Sequence, residues 1–386
     1  MPKTTKNTQK HAADSDFVRN LEQDITAFIK AGTEQTDTED KFNELALRLF
    51  EYQYNANAPY QKYCAKRGIK PGDIESWEEI PAVPMSAFKE IPLCTFPPEE
   101  ATRIFRSSGT TNPEKRSKIY LNDTGLKLLD TSYMYSIVNY LYPSGENLHT
   151  LFMSPPPHLV PPDSVLMYGY SKILANHTIG DIEYFMDEKG FNLEALVARL
   201  RKAEETGESV FVISVTTGYL HFFDYCLSKG ISFNLPEGSR LGDGGGYKGS
   251  SREISKKEFF ELAQKMTGVP PHCLINGYSM TELQTAFCDN VLYNHVKGIK
   301  EPRYKLGPPW TRSVVVDPET LQPLTKGETG LLRHYCLANI NTVLAVQTDD
   351  LGYQIGDGFE VVGRAKGAEA RGCSIAMDEL INAQGM

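Results

Sequence analysis

The stretch Thr102-Arg103-Ile104-Phe105-Arg106-Ser107-Ser108-Gly109-Thr110-Thr111 decides how this chain is read. A β-prone run leads straight into a loop of hydroxyl residues around one glycine. Hydroxyls and exposed backbone N–H groups are donors for a polyanion, and Gly109 lets the backbone approach it closely. Lys115, Arg116 and Lys118 add positive charge just beyond. A nucleotide polyphosphate fits such a loop. A plain turn is the competing reading of the same residues.

Composition narrows the field. The chain has 386 residues, 40% hydrophobic and 23% charged, the balance of a globular domain large enough for a substantial core. A net charge of −9 argues against nucleic-acid binding, which favours a basic excess. No apolar run approaches the roughly 18 residues of a membrane span, so no membrane insertion is expected. Residues 1–15 are polar, lack the apolar core of a secretory signal, and read as a disordered tail. The seven cysteines are scattered without a C-x-x-C pair, which fits neither a disulfide framework nor a zinc site, and points to a reducing cytoplasm.

Apolar spacing predicts helices over 16–31 (Phe17, Leu21, Ile25, Phe28, Ile29) and 39–54 (Phe42, Leu45, Leu47, Leu49, Phe50), with a third over Tyr52 to Tyr63. From residue 102 short β runs alternate with helices. Residues 148–153 and 210–215 read as buried strands, and 193–203 and 256–266 as helices. This is the pattern of an α/β fold with a mostly parallel sheet flanked by helices. Pro155-Pro156-Pro157 follows a strand and suits either a stiff connector or the border of a pocket. After about residue 303 short runs (313–316, 330–333, 342–345, 359–362) predict a small antiparallel β section. Residues 375–381 suit one short helix.

Three further motifs carry chemistry. Gly242-Asp243-Gly244-Gly245-Gly246-Tyr247-Lys248-Gly249 fails the Walker A order but marks a backbone that passes close to a ligand, such as a nucleobase edge. Asn276-Gly277-Tyr278-Ser279-Met280-Thr281-Glu282 offers an aromatic ring for a base, a hydroxyl for a phosphate and a carboxylate for Mg²⁺. It also reads as an ordinary strand-to-helix turn. Thr348-Asp349-Asp350, followed by Gly363-Arg364, pairs acceptors for ribose hydroxyls with a guanidinium for a phosphate.

In this order the motifs resemble the adenylate-forming superfamily of acyl and aryl acid ligases, over about residues 45–374. Within it the chain is most similar to the LuxE-type acyl-protein synthetases of bacterial bioluminescence. That similarity rests on Tyr52-Gln53, Asn57, Tyr60, Ile80-Pro81, Pro84, Phe88-Lys89, residues 241–249, Gly363-Arg364 and Glu369-Ala370-Arg371-Gly372-Cys373-Ser374. The resemblance implies an acyl-ligase-like large domain over 16–345, with its β section from about 303, and a short C-terminal segment, 346–386. It implies ATP and Mg²⁺ as cofactors. Ser107, Ser108, Gly109, Thr110 and Thr111 would hold the β- and γ-phosphates. Gly244 and Gly245 would lie at the nucleotide, Tyr278 would stack on adenine, Thr281 would contact the α-phosphate, and Glu282 would bind Mg²⁺. Asp350 would bind ribose and Arg364 would follow it. Ser279 and Asp349 stand where the superfamily has glycine, so either aspartate can face the ribose.

Typical members continue into a further domain that supplies an adenylating lysine. Here the chain ends 22 residues after Arg364, and Lys366 lies too early to match, so that domain is expected to be missing. Cys373 matches the family's acyl-accepting cysteine, and Lys366 and Arg371 suit a lowered thiol pKa. The implied function is activation of a long-chain fatty acid to acyl-AMP, transfer to Cys373 as a thioester, and delivery to an acyl-protein reductase partner that makes aldehyde. Phe152, Tyr219, His221, Phe222 and Phe223 are candidates for the acyl pocket, with ordinary core as the alternative. Two other readings stay open: a ligase that hands the acyl group to coenzyme A or a carrier protein, and a non-catalytic nucleotide-binding protein. Chain length, the pathway served and oligomeric state are not set by the sequence.

Overall fold

Helical spacing in the first sixty residues is realised as three consecutive helices, Asp16–Lys30, Glu39–Ala56 and Ala58–Lys66. They are seen in a computed structural model that describes residues 16–107, 116–160, 162–244 and 254–365. The first helix buries Val18, Leu21, Ile25, Phe28 and Ile29, so Val18 takes the inward place expected of Phe17, which stays exposed. Asn57 ends the second helix and caps the third through its side chain.

One sheet organises the rest of the molecule. Its parallel half runs in the order Glu183–Tyr184, His149–Phe152, Val210–Ser214, Arg240–Gly244, Leu274–Tyr278. Helices Val165–His177, Leu193–Thr206, Thr216–Ser228 and Lys256–Thr267 lie between successive strands in the chain. Parallel neighbours require such crossovers, and helices on the faces bury the strands. Val210–Ser214 is accordingly buried along its whole length.

The late strands are antiparallel, as expected, and join the main sheet. They continue the same sheet in antiparallel pairing, in the order Phe287–Asp289, Lys305–Leu306, Gly358–Arg364, Ala345–Ile355, Gly330–Cys336, Thr311–Val316. Residues 342–344 are a buried loop rather than part of a strand, and the strand that follows extends to Ile355. It crosses residues 345 and 346, where a C-terminal segment was expected to begin. The Tyr278–Glu282 motif leads not into a helix but through a turn to Phe287–Asp289.

The seam between the two halves is held by one carboxylate. Asp289 is fully buried and accepts from the Asn276 backbone N–H at 3.1 Å. It also pairs with Lys305 and Arg303. Burial alone would raise its pKa, but Lys305, Lys256 and Arg303 outweigh that and bring it down to about 2. On the other side, a buried run from Leu337 to Leu344 is tied to the helices. Gln53 donates to Asn339 O at 2.8 Å and accepts from Leu344 N at 2.8 Å. Asn57 donates to Thr342 O at 3.2 Å. Asn341 accepts from Asn122 N at 3.1 Å, in space left free by Gly125, whose Cβ would lie 1.9 Å from the amide oxygen.

Removing one partner of a buried ionic cluster leaves the others uncompensated. Asp289→Asn is therefore expected to cost about 3–5 kcal/mol in denaturant unfolding. Lys41→Ala, which removes an exposed pair with Glu44, should stay within about 0.5 kcal/mol.

Candidate active site

The neck of the hydroxyl loop is a closed pair of hydrogen bonds. Ser107 N donates to Ser117 O at 3.0 Å, and Ser117 N donates to Ser107 Oγ at 3.0 Å. Strands Arg103–Arg106 and Lys118–Leu121 pair antiparallel and present this neck. Arg106 and Arg116 share Asp163, at 3.3 and 3.2 Å. Asp163 carried no motif in the sequence. Ser108, Gly109, Thr110 and Thr111 lie outside the described residues, as do Gly245 and Cys373.

Ser117 also links the neck to Glu282. Burial raises the Glu282 carboxyl above the usual carboxylate range, opposed by a hydrogen bond from the Ser117 hydroxyl and by the charge of Arg364. Its Oε1 is buried and has no hydrogen-bond partner among the described residues. The backbone around it is fixed by Asn339, which donates to Glu282 O at 3.0 Å and accepts from Gln284 N at 2.9 Å. An orphaned, buried carboxylate oxygen beside the Ser117 hydroxyl is a fitting place for a hard cation such as Mg²⁺. Thr281 is buried in the same turn.

Tyr278 stands at the end of the last parallel strand. Its hydroxyl donates to Asp350 Oδ2 at 2.9 Å and lies 3.3 Å from His334 Nε2. Asp350 and Arg364 are cross-strand partners, with Arg364 Nε 3.5 Å from Asp350 Oδ1. Strand alternation thus brings Asp350, rather than Asp349, to Tyr278 and Arg364. Burial raises the Asp350 carboxyl, opposed by Arg364 and by the Tyr278 hydroxyl. His334 was not singled out in the sequence. It lies among Tyr278, Phe287 and Phe359, and burial pushes its imidazole down to about 3.

Beside these groups lies an apolar cavity of about 290 Å³. Register places Ile213, Gly242 and Ile275 in one row across three parallel strands, with Gly244 and Gly277 in the next row. Phe211, Ile213, Gly242, Gly244, Ile275 and Gly277 all line the cavity, so bare glycine backbone forms much of its floor. A Cβ at Gly242 would meet the Phe211 ring at 2.9 Å, and one at Gly277 would meet the Tyr170 hydroxyl at 2.9 Å. At Gly244 a Cβ would meet nothing within 4 Å among the described residues. Tyr170 and Met167 close the cavity from the helix Val165–His177, and Pro155 borders it.

Phe152 lines this cavity, but His221, Phe222, Phe223 and Tyr219 do not. They sit on the helix Thr216–Ser228, where His221 is exposed. Phe222 packs on Phe223 and Phe233, and Tyr219 turns its hydroxyl to the Val212 and Gly242 carbonyls. At the mouth, Asp243 accepts from Thr216 at 2.8 Å and from Asn276 at 3.0 Å, fixing the strand ends. A cleft at the carboxyl ends of parallel strands is where open α/β sheets bind ligands.

A family model described as acyl-protein synthetase, LuxE, matches residues 23–382. The chain is 24% identical over 375 residues to the long-chain-fatty-acid–luciferin-component ligase of Vibrio harveyi, covering 94% of each chain. It is 23% identical over 359 residues to the ligase of the same name from Aliivibrio fischeri, covering 90% of each. Among solved structures, an open conformation of 2-hydroxyisobutyryl-CoA ligase, in complex with 2-HIB-AMP and CoA, superposes with a TM-score of 0.60 at 12% identity. That match covers 86% of this chain and 76% of the other, and it shows a shared fold.

The buried imidazole has a signature in stability. A histidine whose folded pKa is about 3, against 6.5 unfolded, stabilises the fold fully above about pH 6.5 and loses that contribution as pH falls toward 3. Between pH 6 and 4.5, wild-type stability should therefore fall about 1.4 kcal/mol per pH unit more steeply than that of His334→Gln. Parallel slopes in urea unfolding at several pH values would contradict the assignment.

Proposed function

The chain belongs to the LuxE acyl-protein synthetase family, and from that premise we propose that it activates a long-chain fatty acid as acyl-AMP and transfers the acyl group to its own Cys373. The observation that carries this reading is the apolar, glycine-floored cavity. Its lining ends at Gly244 and Gly277, the latter directly before Tyr278. An alkyl chain suits the cavity, and a nucleotide suits the polar groups beyond it.

ATP binds with its adenine on Tyr278, its ribose on Asp350 and its phosphates at the loop Ser107 to Thr111 and at Thr281. Glu282 would hold Mg²⁺, which when bound would supply charge neutralisation on the phosphates. Arg364, paired with Asp350, adds a cation on the same side. A fatty carboxylate oxygen attacks the α-phosphorus, the bond to the bridging oxygen breaks, and pyrophosphate leaves with the electron pair. Positioning and electrostatics account for most of such a step. The Cys373 thiolate then attacks the acyl carbon, AMP leaves, and an acyl thioester remains. An acyl-protein reductase partner then takes over the acyl group, which frees the Cys373 thiol, and reduces it to aldehyde with a hydride from a separate hydride donor.

The cysteines support the choice of acceptor. Cys64, Cys94, Cys226, Cys273, Cys288 and Cys336 are free and buried. Burial holds every one of these thiols above its ordinary pKa, about 12 for Cys64, Cys288 and Cys336. A protonated, enclosed thiol is a poor nucleophile. Cys373 is the remaining member of the seven. Free-thiol chemistry of this kind suits the cytoplasm. No helix among the described residues is long and apolar enough to cross a membrane.

Pyrophosphate exchange into ATP, measured across a panel of acids, tests the first step. Long-chain acids should support exchange, and Gly242→Val, which fills the floor against Phe211, should penalise them selectively. Excluding about three methylenes costs on the order of 2 kcal/mol, about thirtyfold in KM for the acid. Cys373→Ser should keep exchange and lose covalent acyl label on the denatured protein. Exchange with no acid would refute the proposal. Full labelling of Cys373→Ser would refute the acceptor.

A further inference from the structure

A directional hydrogen-bond chain runs from the antiparallel half of the sheet to the polar site. Ser313 and His334 face each other across paired strands, with Ser313 Oγ 2.8 Å from His334 Nδ1. His334 Nε2 lies 3.3 Å from the Tyr278 hydroxyl, which donates to Asp350 Oδ2 at 2.9 Å. Proton counting leaves one arrangement. The Tyr278 hydroxyl has one hydrogen, and it goes to the carboxylate, so toward His334 its oxygen accepts. The imidazole therefore carries its proton on Nε2. Its Nδ1 is the acceptor, and the Ser313 hydroxyl donates to it.

The surroundings hold this arrangement in place. His334 is fully buried among Phe287, Phe359 and the Tyr278 ring, where a second ring proton would be uncompensated. The strand bearing Ser313 is tied in turn by Gln354, which donates to Ser313 O at 3.2 Å. Asp350 thus receives Tyr278 on Oδ2, while Oδ1 faces Arg364. Tyr278, His334 and Ser313, behind the carboxylate, each have a hydrogen-bond partner within the protein.

We infer that His334 is a positioning residue for the nucleotide: by fixing the Tyr278 hydroxyl it sets both the ring that would face the base and the carboxylate that would face the ribose. This inference rests on the proposal that Tyr278 and Asp350 bind ATP. His334 touches no reacting atom. Its effect belongs in ATP binding and not in the chemical step or the acid site. Such pre-organisation lowers the cost of ordering the site when the ligand binds.

The test compares full-length wild type with His334→Phe, His334→Gln, Ser313→Ala and Tyr278→Phe, together with the His334→Phe/Tyr278→Phe double variant. Pyrophosphate exchange gives kcat and both KM values, and calorimetry gives ATP affinity directly. Phenylalanine keeps the aromatic packing and removes the N–H. His334→Phe should raise KM for ATP about tenfold, as expected for one lost buried hydrogen bond. The acid KM should stay within about twofold and kcat within about threefold. His334→Gln, which restores a donor, should recover most of the loss, and Ser313→Ala should weaken ATP about threefold. In the Tyr278→Phe background, His334→Phe should add little.

Unchanged ATP affinity in both His334→Phe and Ser313→Ala overturns the inference. So does an equal loss for ATP and acid, or an undiminished effect in the Tyr278→Phe background. If His334→Phe does not fold, Ser313→Ala decides alone. Wild-type protein that binds no ATP overturns the nucleotide reading and this inference with it. ATP bound equally by wild type and all His334 variants overturns the inference only.

Discussion

Asp289 is the constraint on which the rest of the structure depends. It sits where the parallel half of the sheet ends and the antiparallel half begins, and it is buried with three cations around it. Its oxygens also take the backbone N–H of Asn276, whose side chain holds Asp243 at the cavity mouth. One carboxylate thereby fixes the spacing of the strand ends that carry Gly244, Gly277 and Tyr278. A buried ionic cluster of this kind is poor evidence of net stability, because desolvation offsets much of the attraction. Its value here is geometric. Tyr278, from the parallel half, must meet Asp350, His334 and Arg364, all from the antiparallel half.

A second polar hub works from the opposite side. The buried run from Leu337 to Leu344 carries Asn339 and Asn341 into the interior, where Gln53 and the Glu282 turn bind Asn339, Asn122 binds Asn341, and Asn57 binds the Thr342 carbonyl. Buried amides that find all their partners specify one arrangement of their neighbours. The first helices thus set the position of Glu282, more than two hundred residues away. The polar site is rigid at its back, through Asn339 and His334. Among the described residues, the buried Glu282 Oε1 has no hydrogen-bond partner, and the Arg364 guanidinium is exposed beside Asp350.

Much of this was legible in the sequence, and for identifiable reasons. Strong apolar periodicity gave the first two helices, and the β run Val210–Ser214 was continuous enough to read as buried. Tyr278, Glu282, Asp350 and Arg364 stand in motifs, and the structure gathers these four at one seam. Gln53 and Asn57 were quoted only as family residues, and their partners explain why those residue types are needed. What stayed hidden depends on pairing across long distances. His334 looks like any residue of a mixed strand until Ser313 and Tyr278 are placed beside it. Asp289 and Asp163 sit in no motif, and their cations come from other segments. His221 and Phe222 were candidates for an acyl pocket, with ordinary core as the alternative, and neither lines the glycine-floored cavity. Helical phase turns them away, while glycines and Phe211 form the floor. Polar residues inside the apolar run Leu337 to Leu344 were the one overlooked signal that sequence alone contained.

The proposed reaction requires that a single ligand span the glycine-floored cavity and the Tyr278–Asp350–Arg364 cluster. A crystal structure with a non-reactive acyl-adenylate analogue tests it most directly. The alkyl chain is expected along Gly242 and Phe211, with the ribose hydroxyls on Asp350. An alkyl chain outside that cavity, or an adenosine moiety placed away from Tyr278 and Asp350, would contradict it.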